Sequence, residues 1–233
     1  MINLWKTLSS ALALVILVLS LACASAKPLK TISIPTTPAQ LTTHTGSKHS
    51  NDRAGLPCVV VGGLSDCPAE PPAGRARVGF AYAYDCTDIV IRDCWRWQSC
   101  ETRGFIRFDL SALKGKDVIS ATLQYAVVAT SPGSSRASCA VSLFVAKSAA
   151  LSLDTPGDLV TADLPDAPSV TGSIRVPVNS QVRDWVTGKV ENFGFFIDGP
   201  AFSHDRREGC DAVTETCNSV LGDFSLRVEY ADK

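Results

Sequence analysis

The stretch "CTDIVIRDCWRWQSC", residues 86–100, holds the residues best suited by type and spacing to chemistry at a surface. Trp95 and Trp97 flank Arg96, and Cys94 and Cys100 bracket all three. In an extended chain side chains alternate, so both indoles would project to one side and the guanidinium to the other. Paired aromatic rings can stack on the apolar faces of sugar rings. Arg96 can meet hydroxyls, or grip a carboxylate through two parallel hydrogen bonds. A Cys94–Cys100 bridge would hold the loop rigid and lower the ordering cost of binding. The competing reading is that both indoles pack against the local disulfides or the sheet.

Catalytic patterns find less footing. His204 is the only histidine in the part expected to fold, and "FSHDRREGC" reads as a solvated turn. There is no GxSxG, no HExxH and no glycine-rich phosphate loop. Asp109, in "FDLSAL", reads as a strand-ending residue that hydrogen-bonds nearby backbone N–H groups. Local spacing places no second carboxylate beside it. His44 and His49 have no Cys or carboxylate cluster near them in sequence. Asp205, Glu208 and Asp211 crowd one loop without the spacing of an EF-hand. The expectation is a non-enzymatic chain without a cofactor or metal.

Composition bounds the compartment. Lys6 precedes an apolar run from Ala11 to Ala22, which ends in Ala24-Ser25-Ala26, a small-x-small cleavage pattern. Residues 1–26 read as an export signal, too short for a membrane span, and no later stretch has that length. Cleavage before a lipidated Cys23 is the less favoured alternative, because Ser20 stands where a large aliphatic residue is usual. Export with cleavage after Ala26 removes one of nine cysteines. Cys58, Cys67, Cys86, Cys94, Cys100, Cys139, Cys210 and Cys217 remain, an even number that points to disulfides outside the cytosol. Short loops suggest Cys58–Cys67, Cys94–Cys100 and Cys210–Cys217, leaving Cys86–Cys139 as a longer staple. The net charge of −1 offers no basic footprint for nucleic acid or an anionic membrane.

Two kinds of element must position these residues. Residues 27–56 are rich in Thr, Pro, Ser and Lys and read as a flexible linker, with one short edge strand at Ile32–Ile34 at most. Residues 57–233 form the folded domain, and from about residue 76 its pattern alternates with period two. Val78, Phe80, Tyr82 and Tyr84 share one face, better suited to a core than to a binding surface. Ile119, Ala121, Leu123, Tyr125 and Val127 share another, and Phe224, Leu226, Val228 and Tyr230 a third. Shorter runs sit at 88–92, 104–109, 140–146, 173–178 and 193–198. Each greasy face needs a cover, so about eight strands predict an all-β, two-sheet antiparallel β-sandwich of the jelly-roll kind.

One segment breaks this rhythm. In "VNSQVRDWVTGKVENFGFFI", Val178, Val182 and Trp185 fall at i, i+4 and i+7, which is helical spacing. Asn179 or Ser180 can cap the start, and Gly188 can end the helix in a left-handed conformation. The spacing predicts one short helix around residues 179–188 that drives Val182 and Trp185 into the core. This segment, with "GFIRFDLSAL" at 104–113, "KDVISATLQYAV" at 116–127 and the closing "FSLRVEY", resembles the extracellular jelly-roll modules called DNRLRE domains and related carbohydrate-binding modules. The resemblance spans about residues 76–231. It implies a secreted, non-catalytic module that binds polysaccharide at the cell exterior, and the residue types themselves offer Trp95, Arg96 and Trp97 as the binding side chains. The alternative is a structural or adhesive module that contacts a cell-surface protein.

Overall fold

The computed structural model describes residues 27–37, 40–51, 69–85, 96–130, 139–164, 173–200 and 213–233. Among them are ten strands: β1 Lys30–Pro35, β2 Leu41–Asn51, β3 Ala76–Asp85, β4 Arg96–Ile106, β5 Lys116–Thr130, β6 Val141–Ala146, β7 Gly157–Leu164, β8 Ile174–Pro177, β9 Phe195–Asp198 and β10 Val213–Asp232. One α-helix among the described residues, α1, spans Asn179–Val186. All strand pairings are antiparallel. No helix among the described residues is long and apolar enough to cross a membrane.

The strands are not two separate sheets. They form one hydrogen-bonded sheet in the order β7-β6-β9-β4-β3-β10-β5-β8, with β1 added to β10 and β2 to β4. Two long strands account for this continuity. β10 pairs with β3 over Val213–Leu221 and with β1 over Ser225–Tyr230, while β5 follows its other edge from Ser219 to Asp232. β4 pairs with β3 over Arg96–Thr102 and with β9 over Arg103–Ile106, while β2 follows its other edge throughout. The ladder therefore never breaks as the sheet curls over its apolar face.

A strand of 20 residues would run about 66 Å if straight, too far for a domain of this size. β10 bends instead. The register slips between Gly222 and Ser225, and Asp223 takes φ +54°. Within the bend, Phe224 stacks on Tyr125 with ring centroids 5.7 Å apart.

The larger core cluster lies inside the curl of this sheet. Ile34, Leu123, Tyr125, Val176, Leu226 and Val228 meet Leu41, Ile106, Leu143, Phe195 and Ile197. Most alternation predictions hold, but Ile119 is an exception. A bulge in β5 leaves it without a β10 partner, so Val118 turns inward and Ile119 is 41% exposed. A second slip at Val128 leaves that residue 37% exposed in the same way.

The segment read as a linker is also corrected. Residues 30–35 and 41–51 are strands of the sheet, and Ile34 and Leu41 are buried in the core. Threonine-rich, β-branched sequence suits a pleated edge, and a few inward aliphatic residues suffice to anchor it. The signal segment 1–26, Cys23 and the run at 88–92 lie outside the described residues.

The ends of β1, β5 and β10 are joined by one carboxylate. Asp232 Oδ2 accepts from Lys30 Nζ at 2.6 Å, and Oδ1 accepts from Lys116 Nζ at 2.7 Å. These hydrogen bonds, Lys116 first and then Lys30, hold the Asp232 carboxyl down to about 2 from an ordinary 3.8. A carboxyl lowered on folding stabilises the folded state above its unfolded value, and that gain disappears as pH falls through its folded value. The clamp therefore contributes above about pH 4 and is lost between about pH 4 and pH 2. Lys30 is raised above 10.5 by the same carboxylate, so its share is lost as pH rises past that value. The groups are largely exposed, so the effect is modest. Asp232→Asn should melt below the wild type near neutral pH, and the two melting temperatures should converge by about pH 2. A gap that does not change with pH would rule out the clamp as its source.

Candidate functional site

The segment 178–197 is explained residue by residue. Val178, not Asn179 or Ser180, occupies the N-cap of α1, and no side chain caps it. Asn179 is used elsewhere. Its Oδ1 accepts from the Ala121 N–H at 2.6 Å, while the Val178 N–H donates to the Ala121 carbonyl at 2.9 Å. The side-chain amide thus continues the β8–β5 ladder where the main chain leaves it for the helix. Arg183 donates to the Val118 and Ile119 carbonyls at 3.2 and 3.3 Å, beside the β5 bulge.

Val182 is fully buried and Trp185 is 8% exposed. The indole meets Phe195 edge-on, with centroids 4.8 Å apart. Gly188 follows at φ +74°. Its N–H donates to the Trp185 carbonyl at 3.1 Å, and that of Lys189 to Asp184 at 3.0 Å. This pair of reversed bonds is the Schellman closure that favours glycine at its left-handed position. Asn192 Nδ2 then donates to the Phe108 carbonyl at 3.0 Å. At Gly194, φ +90°, an added Cβ would press on the Ile106 carbonyl and stand 3.1 Å from Arg107 Cα. The Asn-x-Gly pair therefore lashes the chain after the helix onto the chain leaving β4.

That junction forms one wall of an open groove of about 450 Å³. It is lined by Gln40 and Thr42 at the start of β2, by Arg107, Phe108, Asp109 and Leu110 after β4, by Leu151, and by Asn192. The Ser111 N–H donates to Asp109 Oδ1 at 2.9 Å, an Asx turn that leads into a 3-10 turn at Ser111–Leu113. The Ser111 N–H, and then its hydroxyl, hold the Asp109 carboxyl below the ordinary carboxylate range. Leu151 comes from a segment folded over the outer face of β4, β6 and β9. There Phe105, Ala146 and Phe196 form a second apolar cluster with Phe144 and Phe193. β9 is consequently buried on both faces, against the expectation of one greasy face per strand. Arg103 lies over the Phe196 ring at 4.4 Å and pairs with Asp198 at 2.6 Å.

The aromatic stretch is placed by register. Trp97 in β4 is opposite Tyr84 in β3 on one side and Ser50 in β2 on the other. Arg96 is opposite Asp85 and Asn51. Tyr82 is opposite Ser99, and His44 and His49 in β2 are opposite Arg103 and Gln98. Trp95 lies outside the described residues, as do Cys58, Cys67, Cys86, Cys94 and Cys210, and the loop of His204, Asp205, Glu208 and Asp211.

The disulfide pattern differs from the loop-length expectation. Cys139 is bonded to Cys217 across 78 positions, with Cα atoms 5.4 Å apart. This replaces both Cys210–Cys217 and Cys86–Cys139. The reason is topological: Cys217 lies inside β10, opposite Phe80, and Cys139 precedes β6, so sheet curvature rather than chain proximity brings them together. Cys100 is also disulfide-bonded.

Sequence reasoning missed most of the groove. Gln40 and Thr42 fell in the segment read as a linker, and Arg107 was quoted only as part of the stretch 104–113, with no role of its own. Asp109, in the stretch 104–113, was the signal that the sequence offered for this groove. Among the described residues, no group of three or more His, Cys, Asp or Glu could hold a metal ion. No protein-family model matches this chain, and no curated protein matches it.

Proposed function

We propose that this chain is an exported, non-catalytic module that binds polysaccharide at the cell exterior, built as a jelly roll whose two layers share β4 and β10. One observation carries the binding reading. Trp97 and Tyr84 are cross-strand partners, so two aromatic residues start from backbone points about 4.5–5.5 Å apart. Neighbouring aromatic residues on a hydrogen-bonded ribbon suit stacking on consecutive sugar units, with Arg96 available to hydroxyls or carboxylates. The Cys139–Cys217 bond supports export to an oxidising compartment. Affinity electrophoresis through gels cast with neutral and acidic polysaccharides tests the reading. The intact protein should be retarded by at least one polymer. Trp95→Ala, Trp97→Ala and Arg96→Gln should each reduce that retardation without lowering the melting temperature. No retardation by any polymer would overturn the proposal and favour an adhesive module that contacts protein.

A further inference from the structure

β7 ends the sheet and pairs with β6 alone among the described residues. Its outer edge therefore keeps backbone N–H and C=O groups without a ladder partner, which is a template for another strand. Two other edges are blunted. β8, at the far end of the sheet, has four residues and stops at Pro177, and β1 stops at Pro35. β7 has eight residues and no proline. The side chains beside this edge define the strand that fits it. Leu159 is opposite Phe144, Phe144 opposite Phe196, and Phe196 opposite Phe105, so one apolar row crosses β7, β6, β9 and β4 on the outer face. Phe144 stacks on Phe196 with ring centroids 4.9 Å apart. Phe105 and Phe196 are buried, whereas Leu159 is 57% exposed. The row stops at the edge with its last member uncovered, and a strand added there would continue it.

We propose that β7 is a docking edge for an extended, cationic segment of a second protein. The segment adds antiparallel to β7, with an aliphatic side chain beside Leu159 and Lys or Arg beside Asp158 and Asp163. Backbone hydrogen bonds supply the affinity and the side chains the selectivity, as in strand addition generally. Charge decides the partner. Asp158 and Asp163 are both exposed on β7. Lys147 pairs with Asp158 at 2.6 Å, and Asp163 has no cationic partner among the described residues. A second copy of this chain fits poorly. Pairing two β7 strands antiparallel about Leu159 would set their Asp158 carboxylates two positions apart, and registers that overlap more of β7 set Asp158 beside or opposite Asp163. Like charges so placed on facing strands are destabilising, whereas a cationic strand relieves both. The edge is separate from the Trp97 ribbon and does not depend on polysaccharide binding.

Titration of the intact protein with the acetylated, amidated peptide Lys-Thr-Val-Thr-Leu-Lys-Val-Thr, followed by calorimetry and by amide hydrogen exchange, tests this edge. In antiparallel register its Leu falls opposite Leu159 and its Lys residues opposite Asp158 and Asp163. Saturable binding is expected, with exchange slowed across Gly157–Leu164. N-methylating alternate amides along one edge of the peptide should abolish binding, because that edge can no longer form a ladder. Exchanging its Lys for Glu should weaken binding roughly tenfold or more. Leu159→Thr keeps a β-branched strand residue and should weaken binding roughly tenfold, the loss of one apolar contact, while melting as the wild type does. Asp158→Asn/Asp163→Asn should bind the Lys and Glu peptides alike; Asn tolerates the φ of +54° at position 163. No binding, equal binding of the N-methylated peptide, or equal binding of the Lys and Glu peptides by the wild type would overturn the proposal. A concentration-dependent dimer in sedimentation that Leu159→Thr abolishes would also overturn it, and would assign the edge to a second copy.

Discussion

Trp185→Ala should destabilise the protein by about 3–5 kcal/mol, the range for removing a large buried aromatic side chain. The indole is 8% exposed and fills the space between α1 and Phe195. α1 has eight residues, too few to persist in water on its own. Its order depends on Val182 and Trp185 reaching the core, on Asn179 at Ala121 and on Arg183 at the β5 bulge. Guanidinium unfolding monitored by circular dichroism measures the cost. Trp185→Phe, which keeps a ring against Phe195, should lose less than half as much. A loss below about 1 kcal/mol for the alanine variant would show that the helix is held without its indole. The variant should also loosen the Lys189–Gly194 segment, because Gly188 closes its turn on the Trp185 carbonyl.

The second large effect belongs to Cys139–Cys217. A bond closing a loop across 78 positions removes unfolded-state entropy worth about 4.5 kcal/mol in the chain-entropy description. The double variant Cys139→Ala/Cys217→Ala should therefore lose about 2–5 kcal/mol. At this chain length that is a fall of about 4–20 °C in melting temperature. Each single variant should fall at least as far, because it leaves one unpaired thiol, and in Cys139→Ala that thiol is buried inside β10. Peptide mapping of the non-reduced protein should recover the 139–217 linkage directly. Recovery of a 210–217 peptide instead, with an unchanged melt in the double variant, would refute the assignment.

The contrast between these two features shows what was legible in the sequence. Trp185, Val182 and Gly188 announce themselves because a helix repeats within seven residues, and a Schellman closure needs only a local glycine. Leu123, Tyr125, Leu226 and Val228 are likewise readable, since strand alternation is a local property. What escaped is set by pairing between distant strands. Ile119 breaks its own alternation because β5 and β10 differ in length across a bulge. β7 shows almost no alternation, being an edge strand with Leu159 largely exposed, and gave no signal. Asn179 has the chemistry of a cap, yet a strand amide from 58 positions away claims its carbonyl. The groove draws on Gln40, Arg107, Leu151 and Asn192, four segments that only the curled sheet assembles.

The pairing of β1 with β10 has a mechanical consequence. Lys30 is opposite Tyr230, so the entry to β1 and the exit from β10 lie side by side. Tension applied between them would load the ladder one rung at a time, as in peeling tape, rather than in shear along all rungs together. The Lys30–Asp232 contact would part first, then the rungs from Tyr230 toward Ser225. Peeling of β10 would stop at Cys217, whose covalent tie to Cys139 keeps the rest of the strand from extending. Under load the bond would thus shield residues 140–216 from extension, while β1 to β5, which precede Cys139, would be held only by their own ladders.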